Sequence, residues 1–224
     1  MISTIAGNGK AGFTGDGEPA TGAQFNQPHS LAFDAAGDLY VCDIMNHRVR
    51  QIDLKTGIIS TWSGTGEAKT APDGSRISGS ALHGPRALVF SPDGKCWLAL
   101  REGNAVLLLD AKADTLKRVA GTGKSGFSGN GGLALEATLS GPKCVSLDAD
   151  GNVYLADTES HSIRYLDAKR GTVELLVGNG QRGDGPDGNP LQCQLARPHG
   201  VFVDKDGSVF IGDSENHRVR VWRK

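Results

Sequence analysis

The sequence predicts an all-β chain folded as a four-bladed β-propeller, and three observations carry that expectation. A glycine turn recurs four times at one interval, a proline follows each copy, and short apolar runs follow each proline. The turns read AGNG at Ala6, SGTG at Ser63, AGTG at Ala120 and VGNG at Val177, each 57 residues after the one before. The prolines are Pro28, Pro85, Pro142 and Pro198. Self-similarity at a fixed period marks a repeat architecture before any single element is assigned.

Each unit can be justified strand by strand. After the proline comes a run broken by a tight turn: LAFDAAGDLYVCD, LVFSPDGKCWLAL, VSLDADGNVYLAD and VFVDKDGSVFIGD. A further strand closes each copy: HRVRQID, AVLLLD, SIRYLD and HRVRVWR. Such runs, rich in Val, Leu, Ile, Phe and Tyr and bounded by Gly, Asp, Asn and Pro, read as a meander of strands. The second strand is apolar on both faces (Leu39 and Val41 against Tyr40 and Cys42), so it must be covered on both. The third is more polar, with Arg50, Gln51 and Asp53, and is expected further out. An outer strand ahead of each glycine turn makes four strands, which is a propeller blade lengthened by the loop between turn and proline. The single domain spans residues 1–224, in repeats of about 2–57, 58–115, 116–171 and 172–224, and no helical pattern interrupts it.

The chain opens with an outer strand, ISTIA, and ends with a third strand, RVRVWR. Pairing them would complete the last blade, close the ring and remove two exposed edges. The alternative is four blades of a larger ring. A closed ring predicts a monomer, and an unclosed one leaves a homo-oligomer open.

Composition excludes several function classes. The 224 residues are 38% hydrophobic and 22% charged, as expected of a soluble globular chain. The 32 glycines follow no collagen-like period of three. A formal net charge of −1 supplies no basic field to draw in nucleic acid. No run approaches the ~18 apolar residues of a membrane span, and MISTIAGNG has no basic region followed by an apolar stretch. The sequence therefore shows no export signal and assigns no compartment. Cys42, Cys96, Cys144 and Cys193 form no CxxC pair and are expected as free thiols, with Cys193, on a loop, the most reactive.

DLYVCDIMNHRVRQID, NVYLADTESHSIRYLD and SVFIGDSENHRVRVW resemble NHL repeats, as do the loops GFTGDG and GFSGNG. The second repeat departs: Leu100 stands where the others carry Asp43, Asp157 and Asp213, and it lacks the His-Arg pair. The resemblance implies a β-propeller, most often of six blades, which makes six the natural size of a larger ring. It implies functions as different as protein binding, RNA binding, receptor sensing and one zinc-dependent amidating lyase. Fold does not choose among them.

Candidate sites were read from aligned columns. Gly7, Gly9 and Gly12 spell G-x-G-x-x-G, but a strand rather than a helix follows, so the glycines read as positive-φ turn residues and not a phosphate cradle. Asn46-His47-Arg48 and Asn216-His217-Arg218, with Asp43 and Asp213, read as braces within and between blades. Loop carboxylates Asp16, Asp73, Asp184 and Asp187 are weak calcium candidates, since no loop supplies a full oxygen set. His29, Arg86, Lys143 and His199 follow the four prolines and are expected to converge at the channel mouth, joined on the same face by Arg101 and Glu102. The resemblance to the lyase members, in which histidines entering the inner strands bind zinc, makes His29 and His199 weak zinc candidates, because catalytic zinc typically takes three protein ligands.

These residues predict a non-catalytic scaffold that binds a protein or a small anionic ligand at the mouth, without a resident cofactor. A metal-dependent lyase or hydrolase at the same face is the rival reading, and an RNA-binding module another. The second is weakened because Tyr40, Trp97 and Tyr154 share one second-strand column and read as core.

Overall fold

The computed structural model describes residues 1–223. Four antiparallel sheets succeed one another as propeller blades, as the period predicts. Blade 1 is β1 (Pro28–Phe33), β2 (Leu39–Asp43), β3 (Arg48–Asp53) and β4 (Ile58–Ser63), in that order across the sheet. Blade 2 is β5 (Pro85–Phe90), β6 (Lys95–Leu100), β7 (Ala105–Asp110) and β8 (Thr115–Ala120). A short strand, β9 (Gly132–Leu133), adds itself to the outer edge of blade 3, which is β10 (Pro142–Leu147), β11 (Val153–Asp157), β12 (Ser162–Asp167) and β13 (Thr172–Val177). Blade 4 has three strands: β14 (Gly200–Val203), β15 (Val209–Asp213) and β16 (Arg218–Trp222). Helix among the described residues is limited to three-residue 3-10 turns, and no helix is long and apolar enough to cross a membrane.

Apolar clusters fill the joints between consecutive blades. Tyr40, Cys42 and Val49 meet Leu88, Leu98 and Leu107 between blades 1 and 2. Ala99 and Val106 meet Val145 and Leu155 between blades 2 and 3, and Ala156 and Ile163 meet Val201 and Ile211 between blades 3 and 4. The first strands pack in sequence, β1 on β5, β5 on β10 and β10 on β14.

The expected closing pair is not formed. Met1–Ile5 carries no strand, and Ile2 and Ile5 are exposed. β16 therefore stands at an open edge, without the outer strand that β4, β8 and β13 supply to the other blades. The three interblade clusters explain why: blades 1 and 4 share none, so the start of the chain has no apolar seam to follow onto β16.

Two further expectations need correction. The third strand does lie further out, but Arg50 and Arg164 on β3 and β12 are fully buried. Their guanidinium groups donate to carbonyls of the preceding loop, Thr14 and Ser128, and sit against Phe13 and Phe127. All four thiols are free, yet Cys193 is buried in the joint between blades 3 and 4, and burial pushes its thiol up.

Arg164 faces Asp157 at 3.5 Å with both side chains inaccessible, and burial pushes the Asp157 carboxyl up to about 7. Removing one partner of a buried pair leaves the other uncompensated. Asp157→Ala is therefore expected to lower stability by about 3–5 kcal/mol, read as the shift in the urea unfolding midpoint.

Candidate functional site

The inner face is shaped by how each first strand begins. Proline disfavours the right-handed helical region for the residue before it. Here Gln27, Gly84, Gly141 and Arg197 take left-handed φ values of 56°, 64°, 56° and 46°. That bend swings the residue after each proline toward the inner side of the arc. Two amides at the bend have no partner in the ladder and are met by side chains. Within a blade, Asp43, Asp157 and Asp213 accept from the amides of Asn26, Ser140 and Ala196 at 2.7, 2.6 and 2.8 Å. Across a joint, His47 Nδ1 accepts from the Gly84 amide at 3.2 Å, Asn104 Oδ1 from Gly141 at 2.9 Å and His161 Nδ1 from Arg197 at 3.2 Å. The residues of the NHR columns are thus braces, as their repetition suggests.

The glycine turns are explained by the same joints. A Cβ on Gly64, Gly121 or Gly178 would come within 2.2–2.5 Å of the carbonyls of His47, Asn104 and His161. Their φ values of 101°, 85° and 101° suit glycine. No helix N-terminus follows these turns that could hold a phosphate.

The structure brings two of the post-proline side chains into contact and sets Arg86 near enough to His29 to act on it electrostatically. Lys143 Nζ lies 3.2 Å from His199 Nε2. His29 lies within the fields of Arg86, Arg101, Glu102 and Lys143. Burial, then these cations, hold the imidazoles of His29 and His199 below their ordinary value. Burial likewise lowers Lys143, whose side chain is almost inaccessible.

The face is not a bare ring of cations, however. Lys143 pairs with Glu159 at 3.1 Å, and Arg197 bridges Glu159 and Glu215 at 2.6 and 2.8 Å. Arg197 and Lys143 hold the Glu159 carboxyl down at about 2. Arg101 pairs with Glu102 at 2.6 Å. The sequence signal for this belt was a glutamate two residues before Asn104, His161 and His217, of which the sequence reading named only Glu102. Arg86 differs from its neighbours. It is half-buried, burial lowers its pKa, and among the described residues no carboxylate hydrogen-bonds to it.

The loop carboxylates do not join this face. Asp16 pairs with Arg50 at 2.7 Å, Asp73 accepts from the Arg118 amide, and Asp184 and Asp187 both pair with Arg220. Among the described residues no three His, Cys, Asp or Glu side chains group as a metal site, so His29 and His199 have no third ligand beside them. A cavity of about 1010 Å³ forms a groove between blades 2 and 3 lined by Trp97, Leu108, Lys117, Leu135 and Leu166, away from the post-proline residues.

The NHL repeat family description matches residues 25–52, 139–164 and 195–222, leaving the divergent second blade unmatched. NHL repeat-containing protein 2 of Bos taurus is 30% identical, over 89% of this chain and 31% of that protein. Protein SUPPRESSOR OF QUENCHING 1, chloroplastic, of Arabidopsis thaliana is 28% identical, over 98% of this chain and 21% of that one. An auxiliary nutrient binding protein from Bacteroides thetaiotaomicron is similar in fold, with a TM-score of 0.70 at 19% identity, over 89% of this chain and 48% of that structure. The chain thus spans under a third of these two relatives and about half of the solved structure.

The electrostatics of the face can be checked directly. In an NMR titration, the His29 and His199 imidazoles are expected to have midpoints below 6.5, and replacing Arg86 by Ala is expected to raise both.

Proposed function

The chain is an NHL-repeat β-propeller, and we propose that it is a non-catalytic scaffold that takes a small anion, or the acidic group of a protein partner, on its inner face. The observation that carries this reading is Arg86, a half-buried guanidinium to which no carboxylate hydrogen-bonds among the described residues, near Arg101, Glu102 and His29. An arginine in that position can take a further acceptor on its open side. A carboxylate, sulfate or phosphate oxygen satisfies it with charge-assisted hydrogen bonds from a planar fork. Neighbouring cations on a concave surface focus the field toward the same point.

Glu159 and Glu215 sharpen the proposal. They neutralise the blade 3 and blade 4 side, so the attraction centres on blade 2 rather than on a symmetric ring. A ligand with one compact anionic group suits this better than a polyanion. The amidating-lyase type of chemistry would need a metal, and among the described residues neither histidine belongs to a group of three potential ligands.

Sulfate is the probe, because its charge is constant across the pH range of interest. Calorimetric titration at low ionic strength is expected to show binding that Arg86→Ala, Lys143→Ala weakens by roughly tenfold or more, the value of one lost charged hydrogen bond. The histidines gain charge only below 6.5, so affinity should be greater at pH 5.5 than at pH 7.5. Unchanged affinity in the double variant would remove the site from this face. One stoichiometric zinc per chain by elemental analysis would replace the scaffold with the metal-dependent enzyme.

A further inference from the structure

The second blade departs from the repeat around the start of β7, and the departure leaves a hole of defined shape. In blade 1 the side chain of Arg48 spans two carbonyls. Its Nη1 donates to Asn46 at 2.8 Å and its Nη2 to Thr65 at 2.6 Å, with the guanidinium carbon 3.7 Å from the centre of the Phe13 ring. A Cβ on Gly66 would come within 2.5 Å of that Nη1, so this glycine is one wall of the Arg48 cradle. One period of 57 residues further on, the counterparts of Asn46, Arg48, Thr65, Gly66 and Phe13 are Gly103, Ala105, Thr122, Gly123 and Thr70. The two carbonyls and the glycine are kept, while the arginine is cut back to alanine and the ring to threonine.

What remains is a cavity of about 340 Å³ lined by Asp73, Gly103, Ala105, Arg118, Thr122 and Gly123, with Thr70 at its edge. A Cβ on Gly123 would meet nothing nearer than the Gly103 carbonyl at 3.8 Å, although its φ of 85° matches the 89° of Gly66. In blade 3, where Ser162 stands in the arginine column, the Phe127 ring lies against Gly180 and fills the same space. Blade 2 has neither filler. Among the described residues no donor reaches the Gly103 or Thr122 carbonyl, and Asn104 and Arg118 donate instead to the carbonyls of Glu102 and Gly121.

The charges around the cavity repeat those around Arg48. Blade 1 sets two guanidinium groups, Arg48 and Arg50, near Asp16, whose counterpart in blade 2 is Asp73. In blade 2 one guanidinium is present, that of Arg118, turned onto the Gly121 carbonyl at 2.6 Å. Asp73 accepts from the Arg118 amide through Oδ1 at 2.7 Å, and its Oδ2 has no partner among the described residues. A planar fork with paired N–H groups suits two carbonyls placed as those of Arg48 are, better than a compact ammonium does.

We propose that this cavity binds the guanidinium group of an arginine supplied from outside the chain, its N–H groups on the Gly103 and Thr122 carbonyls and its charge toward Asp73. The joints of blade 2 to blades 1 and 3 are both made within the chain, so the walls of the site are its own. The site is distinct from the one around Arg86, because its ligand is a cation and its acceptors are main-chain oxygens.

N-acetyl-arginine amide is the probe, since it carries the guanidinium and no carboxylate for Arg86. In an NMR titration of the isotope-labelled chain, it is expected to shift the amides of Ala105 and Gly123 saturably. N-acetyl-lysine amide and N-acetyl-phenylalanine amide should need roughly tenfold higher concentrations or more. Ala105→Arg supplies the filler of blade 1 and Thr70→Phe that of blade 3, and each is expected to weaken binding by roughly tenfold or more. Thr70 is exposed, so its variant keeps the test open if the buried Ala105 site does not accept an arginine. Free arginine is titrated in parallel. Tighter binding than the blocked form names a free amino acid as the source, equal or weaker binding names a residue of a polypeptide, and both support the guanidinium site. The absence of saturable shifts, equal affinity for the lysine or phenylalanine amide, or unchanged affinity in Thr70→Phe would overturn it.

Discussion

The fold depends on how two consecutive backbone amides are satisfied where each first strand begins. A buried amide without a partner is costly, and the bend before each proline takes both out of the sheet ladder. One amide is met from within the blade, by the carboxylates of Asp43, Asp157 and Asp213. The next is met from the blade before, by His47, Asn104 and His161. The first bond shapes a blade and the second joins it to its neighbour. Short antiparallel sheets are marginal alone, so blade stability and blade spacing are tied to the same few atoms. Blade 2 shows the limit of the scheme: Leu100 replaces the aspartate and is buried in an apolar cluster, while Asn104 keeps the bond to the next blade.

The binding face is a product of this joint. The bend aims the post-proline side chain inward, and the acceptor turn sets a glutamate two residues before His161 and His217. Cations therefore come from the leading blade and carboxylates from the turn, which is why Lys143 with Glu159 and Arg197 with Glu159 and Glu215 interleave. Blade 1 has Met45 in the glutamate column, and Glu102 pairs with Arg101 of its own turn. The side of the face between blades 1 and 2 is left with the excess of positive charge.

Much of this was legible in the sequence because it repeats. A period of 57 residues, four prolines and alternating apolar runs specify the blades and the strand order. What did not repeat in local pattern was not legible. Arg50 and Arg164 look like solvent-facing residues of an outer strand, because the carbonyls that bury them lie 36 residues earlier. Cys193 looks like a loop thiol, and the wall that covers it is supplied by the neighbouring blade. The glutamate belt is hard to see in the sequence because its column is broken in blade 1, where Met45 stands in place of Glu102, Glu159 and Glu215. Closure was misjudged for a physical reason: strand content shows that ISTIA could pair with β16, but the rotation from blade to blade decides whether the two ends meet. That rotation is a property of side-chain packing in the joints, summed over all of them.

The same reasoning separates the binding face from the open ends. Arg86 sits on blade 2, with His29 on blade 1 and Lys143 on blade 3, so the joints on both of its sides are complete within one chain. His199 reaches Lys143 across the third internal joint. The charge distribution around Arg86 is fixed by contacts inside the chain. The proposed anion site thus rests on joints that are complete within the chain.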